Sequence, residues 1–345
     1  MADPPDPAAA LRRIAFLLER TQAPTYRVRA FRNAAASVAA EDPVRVARLA
    51  AAGRLQELRG VGETTARVVT EALAGDTPGY LLRLEEEVDA LPAEDPAVAE
   101  QLARRRGECH SHTDWSDGGS PLPEMAAAAA ALGLEYLAVT DHSARLTVAN
   151  GLSAERRRAQ WALVADCNDA GDAGVRVLDG IEVDILEDGG LDADRDLLAP
   201  LAVVVASVHS KLRMDAPAMT ARLLRAVRDP AVDILGHCTG RMVTGRGRPP
   251  SSFDARRVFA ACAEAGTAVE INARPERLDP PDELLALAVD AGCLFSIDTD
   301  AHAPGQLDWA ANGVRKAVAC GVDPERVVTN WPLERLLAWT RAKGA

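Results

Sequence analysis

The 345-residue chain has few aromatic residues, only three lysines and no closely spaced pair of cysteines. An aromatic content of 4% argues against a long groove in which single-stranded nucleic acid stacks on side chains. The six cysteines are scattered without a CxxC pair, which predicts reduced, mostly buried thiols and excludes a disulfide-stapled miniature protein. Arginine outnumbers lysine 36 to 3, a bias typical of a GC-rich genome, so arginine content alone indicates no chemistry.

Long apolar runs are also missing. No stretch of 18 residues is apolar and uncharged, and the best run, 197–208, is too short to span a membrane as a helix. Residues 1–7 are acidic and rich in proline, which predicts no signal peptide, so we expect a cytoplasmic protein without a membrane partner. The net charge of −12 makes the chain a poor nonspecific binder of nucleic acid, although residues 1–80 carry eleven arginines against nine acidic residues.

Two domains are predicted from the change in pattern along the chain. Apolar residues recur with helical spacing in five segments before residue 91 and indicate an all-helical domain over residues 1–90. The segments are 8–20, 28–40, 43–52, 62–75 and 79–90. Residues 91–104 form an acidic, proline-containing stretch, which we interpret as a linker or a connecting helix.

From residue 105 to 345, short apolar runs alternate with alanine-rich amphipathic helices. We predict seven strands, at 107–110, 136–140, 175–178, 202–208, 232–235, 268–271 and 294–297. Apolar strands that alternate with helices indicate a parallel sheet covered by helices, and thus an α/β fold. Seven such units favour a closed βα barrel related to the eight-stranded form, and an open doubly wound sheet is the alternative.

Each of the six histidines follows or ends a predicted strand, as do several acidic residues. The acidic residues are Asp141, Glu182, Asp298 and Asp300. The carboxyl ends of barrel strands converge on one face, where the pair His110 and His112 points the same way. Imidazole and carboxylate groups gathered in this way predict a site for zinc, manganese or iron. Since GxSxG, P-loop and GxGxxG motifs are missing, we expect metal-activated water and no covalent intermediate.

Seven segments together resemble the PHP (polymerase and histidinol phosphatase) domain, and in particular the PHP module of bacterial family X DNA polymerases. The segments are GECHSHTDWSDG (107–118), LEYLAVTDHS (134–143), GIEVDI (180–185), VVVASVHS (203–210), DILGHCTGR (233–241), VEIN (269–272) and DTDAH (298–302). The resemblance extends from about residue 105 to the end of the chain. It implies a distorted (β/α)7 barrel that holds up to three divalent metal ions, Mn²⁺ or Zn²⁺, with Fe²⁺ as a further option.

The same resemblance implies which residues bind each ion. The first ion would be bound by His110, His112, Asp300 and a bridging Glu182; the second by Glu182, His209 and His237; the third by Asp117, His142 and His302. A metal-bound hydroxide is the implied nucleophile, with no catalytic residue beyond the ligands. Asp117 stands where some family members have histidine, which would loosen the third site or favour manganese, and Asp114 is the fallback ligand.

Basic residues on the loops after these strands suggest that the substrate is a phosphate ester, because arginine forks fit phosphate oxygens. The candidates are Arg145, Lys211, Arg241, Arg246 and Arg274, and Asn150 and Asn272 could add hydrogen bonds. Solvated loop charge is the alternative interpretation.

The helical domain contains the loop LRGVG at 58–62, which is typical of a helix-hairpin-helix. Its glycines, Gly60 and Gly62, would let backbone amides approach a DNA phosphate. Together with the segment YRVRAFR (26–32), the loop resembles the N-terminal 8-kDa domain of family X polymerases, which binds the 5′-phosphate side of gapped DNA. This resemblance implies DNA contacts by Arg27, Arg29 and Arg32, and a helical cap that binds nothing is the alternative.

Three functions remain in competition. A polymerase palm cannot fit between the two domains, so DNA synthesis is excluded. The leading hypothesis is a metal-dependent phosphoesterase that acts in DNA repair on gapped or 3′-ended duplexes, as a 3′–5′ exonuclease or as a processing enzyme for 3′ ends and abasic sites. The others are a small-molecule phosphatase of the histidinol-phosphate type and a DNA-binding adaptor with an inactive barrel. The sequence leaves the oligomeric state open.

Overall fold

The computed structural model describes residues 6–90, 93–171 and 174–344. The chain divides into two compact units, Met1–Ala93 and Glu94–Ala345. Residues 1–5, which form most of the segment used for the signal-peptide prediction, lie outside the described residues. Residues 91 and 92 of the predicted linker also lie outside them.

The first unit is all-helical, as predicted. Its helices are α1 (Pro7–Arg20), α2 (Thr25–Ala39), α3 (Pro43–Ala51), α4 (Glu63–Leu73) and α5 (Gly79–Asp89). The side chains of Asp6 and Asp42 accept hydrogen bonds from the first amides of α1 and α3, and a proline follows each of them, a common way to start a helix. The apolar faces of the five helices form one buried core.

The second unit begins with α6 (Pro96–Arg104). Val98 on this helix is 4% exposed and belongs to the core of the second unit, and Glu94 accepts a hydrogen bond of 2.9 Å from Arg315 Nε. Residues 94–104 are therefore a part of the second unit and not a linker, because α6 buries its apolar side there.

Seven parallel strands follow in a sheet whose spatial order is the chain order. They are β1 (Gly107–Ser111), β2 (Tyr136–Val139), β3 (Arg176–Asp184), β4 (Val203–Ser207), β5 (Ile234–Leu235), β6 (Ala268–Asn272) and β7 (Phe295–Asp298). Sequential order excludes the doubly wound alternative, which requires a reversal. A parallel bridge between Ser111 and Ala301 brings the two edges together, so the sheet is a nearly closed barrel.

Helices alternate with the strands and cover the outside of the sheet. They are α7 (Leu122–Ala131), α8 (Ala154–Ala170), α9 (Arg195–Leu198), α10 (Ala216–Val227), α11 (Ala255–Ala265), α12 (Asp282–Asp290), α13 (Ala310–Ala319) and α14 (Leu333–Gly344). Strand β3 runs six residues beyond its predicted end, so Glu182 lies inside the strand and not after it. Within the described ranges, no helix is long and apolar enough to cross a bilayer.

Candidate metal centre

The nine residues predicted as metal ligands lie together at the carboxyl end of the barrel. The parallel strands all end on this face, so residues far apart in sequence, such as His112 and His302, become neighbours. The rings of His110, on β1, and His112, directly after this strand, have centroids separated by 5.2 Å. The ring of His302, from the loop after β7, lies 4.3 Å from that of His112.

Glu182 is the central residue of the cluster, and its side chain is 1% exposed. Its Oε1 lies 2.8 Å from His237 Nε2 and 3.1 Å from His209 Nε2. Its Oε2 lies 2.9 Å from His142 Nδ1, and His110 Nε2 and His112 Nε2 follow at 3.2 and 3.4 Å. One carboxylate thus touches five of the six imidazoles, which is the geometry of a bridging ligand.

Four overlapping groups of donors have ligand atoms within 4.8 Å of one another. They are His112, Asp117, His142 and His302; His110, His112 and Asp300; His110, Glu182 and His237; and His142, Glu182 and His209. The first group contains the set implied for the third ion and adds His112, and the second contains the set implied for the first ion without Glu182. The set implied for the second ion is divided, because His209 and His237 fall in different groups that share Glu182.

Unpartnered nitrogen atoms show that the cluster fits a cation. Both ring nitrogens of His112 and of His209, and Nε2 of His110, are buried without a hydrogen-bond partner among the described residues. A buried polar atom without a partner costs about 1–3 kcal/mol. A divalent cation would take the lone pair of one nitrogen in each ring, and imidazole with carboxylate is a donor set for zinc or manganese.

Glu270 on β6 supports the cluster from behind and was missed in the sequence. Its Oε1 accepts a hydrogen bond of 2.6 Å from His110 Nδ1, and both side chains are fully buried. Asp184 has a similar place beside His209, 3.2 Å from its backbone nitrogen. The available signal was an acidic residue inside an otherwise apolar strand, in the segment VEIN.

Two of the acidic residues predicted at strand ends, Asp141 and Asp298, have structural roles and belong to none of the donor groups found among the described residues. Asp141 accepts hydrogen bonds from the Thr113 nitrogen at 2.8 Å and the Thr113 hydroxyl at 2.6 Å, which fixes the loop after β1. Asp298 accepts a bond of 2.7 Å from the Cys109 nitrogen and joins the two edges of the sheet.

Four of the histidines fall into two classes by the direction in which their pKa is shifted. Burial lowers the pKa of His112 and of His237 to about 4, with neighbouring cationic groups acting in the same direction. Burial also opposes protonation of His110 and His209, but adjacent carboxylates outweigh it. Glu270 and Glu182 raise the pKa of His110 well above its ordinary value, and Glu182 raises that of His209 to about 9.

The pKa values of two carboxylates in the cluster, Glu182 and Asp300, shift downward, opposite to those of His110 and His209. Burial alone would raise the pKa of Glu182 and of Asp300, yet both are held well below their usual range. Rings such as His110 lower the pKa of Glu182, while Arg274 does most to lower that of Asp300. The cluster therefore keeps its carboxylates ionised, as a cation site requires.

The third predicted set contains Asp117, whose side chain is 36% exposed at the rim. Its Oδ1 lies 3.4 Å from His142 Nε2 and 3.3 Å from His302 Nε2. Hydrogen bonding and charge from His302 overcome burial and lower the pKa of Asp117. The fallback, Asp114, is exposed and belongs to none of the donor groups found among the described residues.

Of the five basic residues predicted to bind phosphate, only Arg274 contacts the cluster. Its Nη1 lies 2.9 Å from His302 Nδ1 and donates to the Asp300 carbonyl at 3.1 Å. The guanidinium of Arg241 donates to the carbonyls of Arg277 and Leu278 and thereby braces a loop, so its contact with phosphate stays a prediction. The remaining three, Arg145, Lys211 and Arg246, are exposed, and their contact with phosphate stays a prediction.

Arg277 is a basic residue that the sequence analysis missed. Its Nε donates to Asp300 Oδ2 at 3.2 Å, and its side chain is only 16% exposed. The two candidate asparagines differ in their contacts. Asn272 Nδ2 donates to Glu270 Oε2 at 3.2 Å, within the cluster, whereas Asn150 Nδ2 donates to the Trp115 carbonyl at 3.0 Å.

The first unit places the predicted hairpin at the start of α4. Gly60 has φ +80°, a conformation that favours glycine, and the Gly62 nitrogen donates to Thr65 Oγ1 at 2.9 Å. A depression of about 450 Å³ adjoins the hairpin. It is lined by Tyr26, Arg27, Ala30, Phe31, Gly60, Gly62, Glu63, Thr64, Thr65 and Tyr80.

The three arginines predicted to contact DNA have different environments. Arg27 is exposed at this depression and donates to the Tyr80 hydroxyl at 2.6 Å, and Arg29 is exposed on the same helix. Arg32 instead pairs with Glu19, which is 4% exposed, so its guanidinium is engaged within the helical unit and a DNA contact by Arg32 stays a prediction.

Two family comparisons agree with this division of the chain. Residues 108–274 match the PHP domain, and residues 3–78 match a helix-hairpin-helix domain. A probable phosphatase of Thermoanaerobacter sp. strain X514 is 30% identical over 230 residues, which is 61% of this chain and 85% of that protein. This chain belongs to the PHP domain family.

A second PHP relative is the DNA polymerase/3′-5′ exonuclease PolX of Bacillus subtilis strain 168. It is 41% identical over 217 residues, 63% of this chain, and the chain spans only 38% of its length. A solved structure, the histidinol phosphate phosphatase of Lactococcus lactis with zinc, L-histidinol and phosphate, has a TM-score of 0.42 and 19% identity. It covers 63% of this chain and 92% of that one, a likeness too distant to bear on chemistry.

Family membership gives the enzyme class, a metal-dependent hydrolase of phosphoric ester bonds. It leaves the substrate undecided.

Proposed function

We propose that this PHP domain protein hydrolyses phosphodiester bonds in DNA, at 3′ ends or at abasic sites. One observation carries the proposal: a nine-donor cluster of the kind that holds divalent cations shares a chain with a helix-hairpin-helix. The two features have separate tasks, since the cluster supports hydrolysis and the hairpin supports binding of a phosphate backbone. The 41% identity to PolX over 217 residues supports the same substrate class.

Three divalent cations, Mn²⁺ or Zn²⁺, would be held by the nine donors, with Glu182 shared between them. Bound cations supply Lewis acidity at phosphoryl oxygens and activation of water. The protein's own residues hold those donors in place. Because the pKa of His112 and that of His237 are both about 4, these two rings are neutral at physiological pH and ready to donate lone pairs.

Arg274 and Arg277 would receive the substrate phosphate. Both contact Asp300, at 3.6 and 3.2 Å from its carboxylate oxygens, and both are less than one quarter exposed. Guanidinium groups present paired donors that match two phosphate oxygens. The two arginines therefore place positive charge beside the cluster, where the ester phosphate has to lie.

The hairpin would bind DNA through its backbone. Gly60 adopts a φ of +80°, which shapes the tight loop, and α4 begins directly after Gly62, so the positive end of this helix adjoins the hairpin. Arg27 and Arg29 add exposed positive charge on the neighbouring helix. Contacts of this kind fix position and carry no base specificity, as befits a processing enzyme.

Hydrolysis of a small phosphate monoester is the second candidate. This candidate is supported by the similarity to the probable phosphatase of Thermoanaerobacter, since this chain covers 85% of the length of that protein. In that case the helical unit would serve as a scaffold, and the same nine donors would act on a smaller ester.

The experiment that separates the two is a comparison of specificity constants with manganese and with zinc. The substrates are 3′-recessed, gapped and abasic duplexes together with histidinol phosphate, and Glu182→Gln is the inactive control. We expect kcat/KM to be highest for a DNA substrate and to vanish in the control. Faster turnover of histidinol phosphate would favour the second candidate, and residual DNA cleavage by the control would point to a contaminating nuclease.

A further inference from the structure

Two arginines of the barrel unit are buried behind the metal centre. Arg157 lies on α8 and Arg222 on α10, and each is 1% exposed. Arginine is rarely buried without a carboxylate partner, because an unpaired charge loses its hydration. Among the residues that the structure describes, neither guanidinium forms an ion pair, and Nε of each has no hydrogen-bond partner. A charge buried in this way costs stability, so its presence twice in one place has to have another reason.

The Arg157 guanidinium bridges two neighbouring strands at their carboxyl ends. Its Nη2 donates to the carbonyl of Asp141 and lies 3.4 Å from that of His142, just after β2. Its Nη1 donates to the Gly180 carbonyl of β3 at 2.9 Å. The fork thus fixes the backbone of His142, a predicted ligand of the third ion, relative to the strand that carries Glu182.

A further contact extends this support to the loop that carries Asp117. Arg157 Nη1 also donates to Gln160 Oε1 at 2.9 Å, and Gln160 Nε2 donates to Asp141 Oδ2 at 2.5 Å. The Asp141 carboxylate in turn accepts a bond of 2.8 Å from the Thr113 nitrogen, in the loop after β1. Arg157 is therefore linked to two of the three loops that supply the predicted ligands of the third ion.

Arg222 has the same relation to the second predicted set. Its Nη1 donates to the carbonyl of Ser210 at 2.9 Å, directly after His209. Its Nη2 donates to the carbonyl of Ile185, directly after β3. The preceding residue, Asp184, accepts a bond of 3.2 Å from the His209 nitrogen. The guanidinium thus joins the backbone around His209 to the end of β3.

We propose that Arg157 and Arg222 are positioning residues of the metal centre, each of which holds the backbone of one ligand, His142 or His209, in place for its cation. Ligands have to be held within about 0.5 Å of their productive positions. A guanidinium suits this task because it donates to several carbonyls at fixed angles, whereas a lysine ammonium is a point charge on a flexible chain. The proposal rests on the metal centre of the proposed function but not on DNA as the substrate.

A zinc titration of the full chain, followed by NMR of ¹³C-labelled histidine, tests the proposal ring by ring. The chain has only six histidines, so each signal can be assigned by replacing one histidine at a time. With free zinc set by a chelator, we expect all six signals of the wild type to shift. In Arg157→Lys, His142 should require about 10–100-fold more free zinc, while His209 responds as in the wild type. Arg222→Lys should show the reverse.

Arg326→Lys is the matched control, because Arg326 Nε donates to the Cys293 carbonyl at 3.0 Å, before β7 and at the other end of the barrel. All six of its signals should respond as in the wild type. Arg157→Met and Arg222→Met remove the buried charge together with the fork, and they replace the lysine variants if those do not fold.

Three outcomes would overturn the proposal by reducing the two arginines to a structural role. They are an unchanged response of both rings, an equal weakening of both rings in each variant, and a failure of all four variants to fold. Wild-type signals that do not respond to zinc would overturn the metal centre itself and the proposal with it.

Discussion

His110 Nδ1 lies 2.6 Å from Glu270 Oε1, and neither side chain is exposed to solvent. An acceptor beside Nδ1 holds a proton there, so when the ring loses its second proton to bind a cation, the lone pair is left on Nε2. That Nε2 faces Glu182 Oε2 at 3.2 Å. Glu270 therefore selects the tautomer of His110 that can bind a cation, and its charge makes the ring a stronger donor.

The first prediction concerns Glu270→Gln. The amide keeps the shape of the side chain but removes the charge, so we expect metal affinity to fall about 10–100-fold. Competition with a chromophoric chelator measures this directly. Asp233→Asn is the control, since Asp233 is also buried but lies at the other end of the barrel, where it accepts a bond of 2.9 Å from the Val204 nitrogen. Equal affinity in the Glu270 variant and the wild type would show that Glu270 does not position His110.

Much of the metal centre could be predicted because it follows from one rule of topology. Parallel strands end on the same face, so residues at strand ends such as His110 and His302 must converge once the strands are recognised. The seven strands were recognisable from their apolar runs, and helix capping by Asp6 and Asp42 agrees with the helical periodicity.

What the sequence could not predict depends on contacts between side chains distant in the chain. Arg32 and Arg241 resemble exposed phosphate ligands in sequence, but one pairs with Glu19 and the other braces the loop at 277–278. Arg277 was missed for the converse reason, because only the fold brings it to Asp300. The length of β3, and with it the position of Glu182 inside a strand, also depends on pairing with its neighbours.

The second prediction is that the protein binds three divalent ions and that Glu182→Gln loses most of them. One carboxylate contacts five imidazoles, so its neutralisation removes a shared ligand and a negative charge from the centre of the cluster. We expect hydrolysis of a chromogenic phosphodiester to fall by at least about 100-fold, the upper end for loss of a supporting metal group. Elemental analysis after reconstitution should give three ions in the wild type, and circular dichroism should show unchanged helix content. One ion or none in the wild type would contradict the trinuclear centre.

The third prediction is a release of protons when metal binds at pH 7. The raised pKa of His110, and that of about 9 for His209, mean that both rings are protonated in the metal-free protein at this pH. A cation needs the unprotonated ring, so affinity should rise with pH up to about 9 and fall as the pH is lowered. His112 and His237, each with a pKa of about 4, add no dependence above about pH 5.

Titration calorimetry in buffers of different ionisation enthalpy counts these protons. We expect net release of at least about one proton per chain at pH 7 and less at pH 10. An enthalpy that is independent of the buffer would mean that the ligands are already deprotonated, contrary to this prediction.

The fourth prediction separates Arg32 from its neighbours on α2. Arg32→Ala removes a charged partner from the buried Glu19 carboxylate, so we expect a loss of about 1–3 kcal/mol in the stability of the helical unit. Arg27→Ala should leave stability unchanged but lower the salt dependence of DNA binding by about one unit of slope, because one phosphate contact is lost. Thermal unfolding and fluorescence anisotropy at several salt concentrations measure the two effects. A loss of DNA affinity in Arg32→Ala without destabilisation would return this residue to the DNA contacts.

The fifth prediction is that the protein has no Schiff-base lyase activity. In relatives with that activity, a lysine on the helix after the hairpin forms an imine with the sugar aldehyde. The corresponding residue here is Val68, which is 1% exposed in the core of the helical unit. The three lysines of the chain all lie in the barrel unit, and Lys343 Nζ is bound to Thr267 Oγ1 at 2.6 Å.

Arginine cannot take over, because its guanidinium stays protonated at neutral pH. Cleavage at abasic sites should therefore be hydrolytic and should stop when metal is removed. Borohydride treatment with a 5′-deoxyribose-phosphate substrate and a chelator should trap no covalent adduct, as judged by mass spectrometry of the full chain, and a known lyase run in parallel shows that the trapping works. A trapped adduct that maps to residues 1–93 would contradict the prediction and would mean that an amine of the helical unit attacks the sugar.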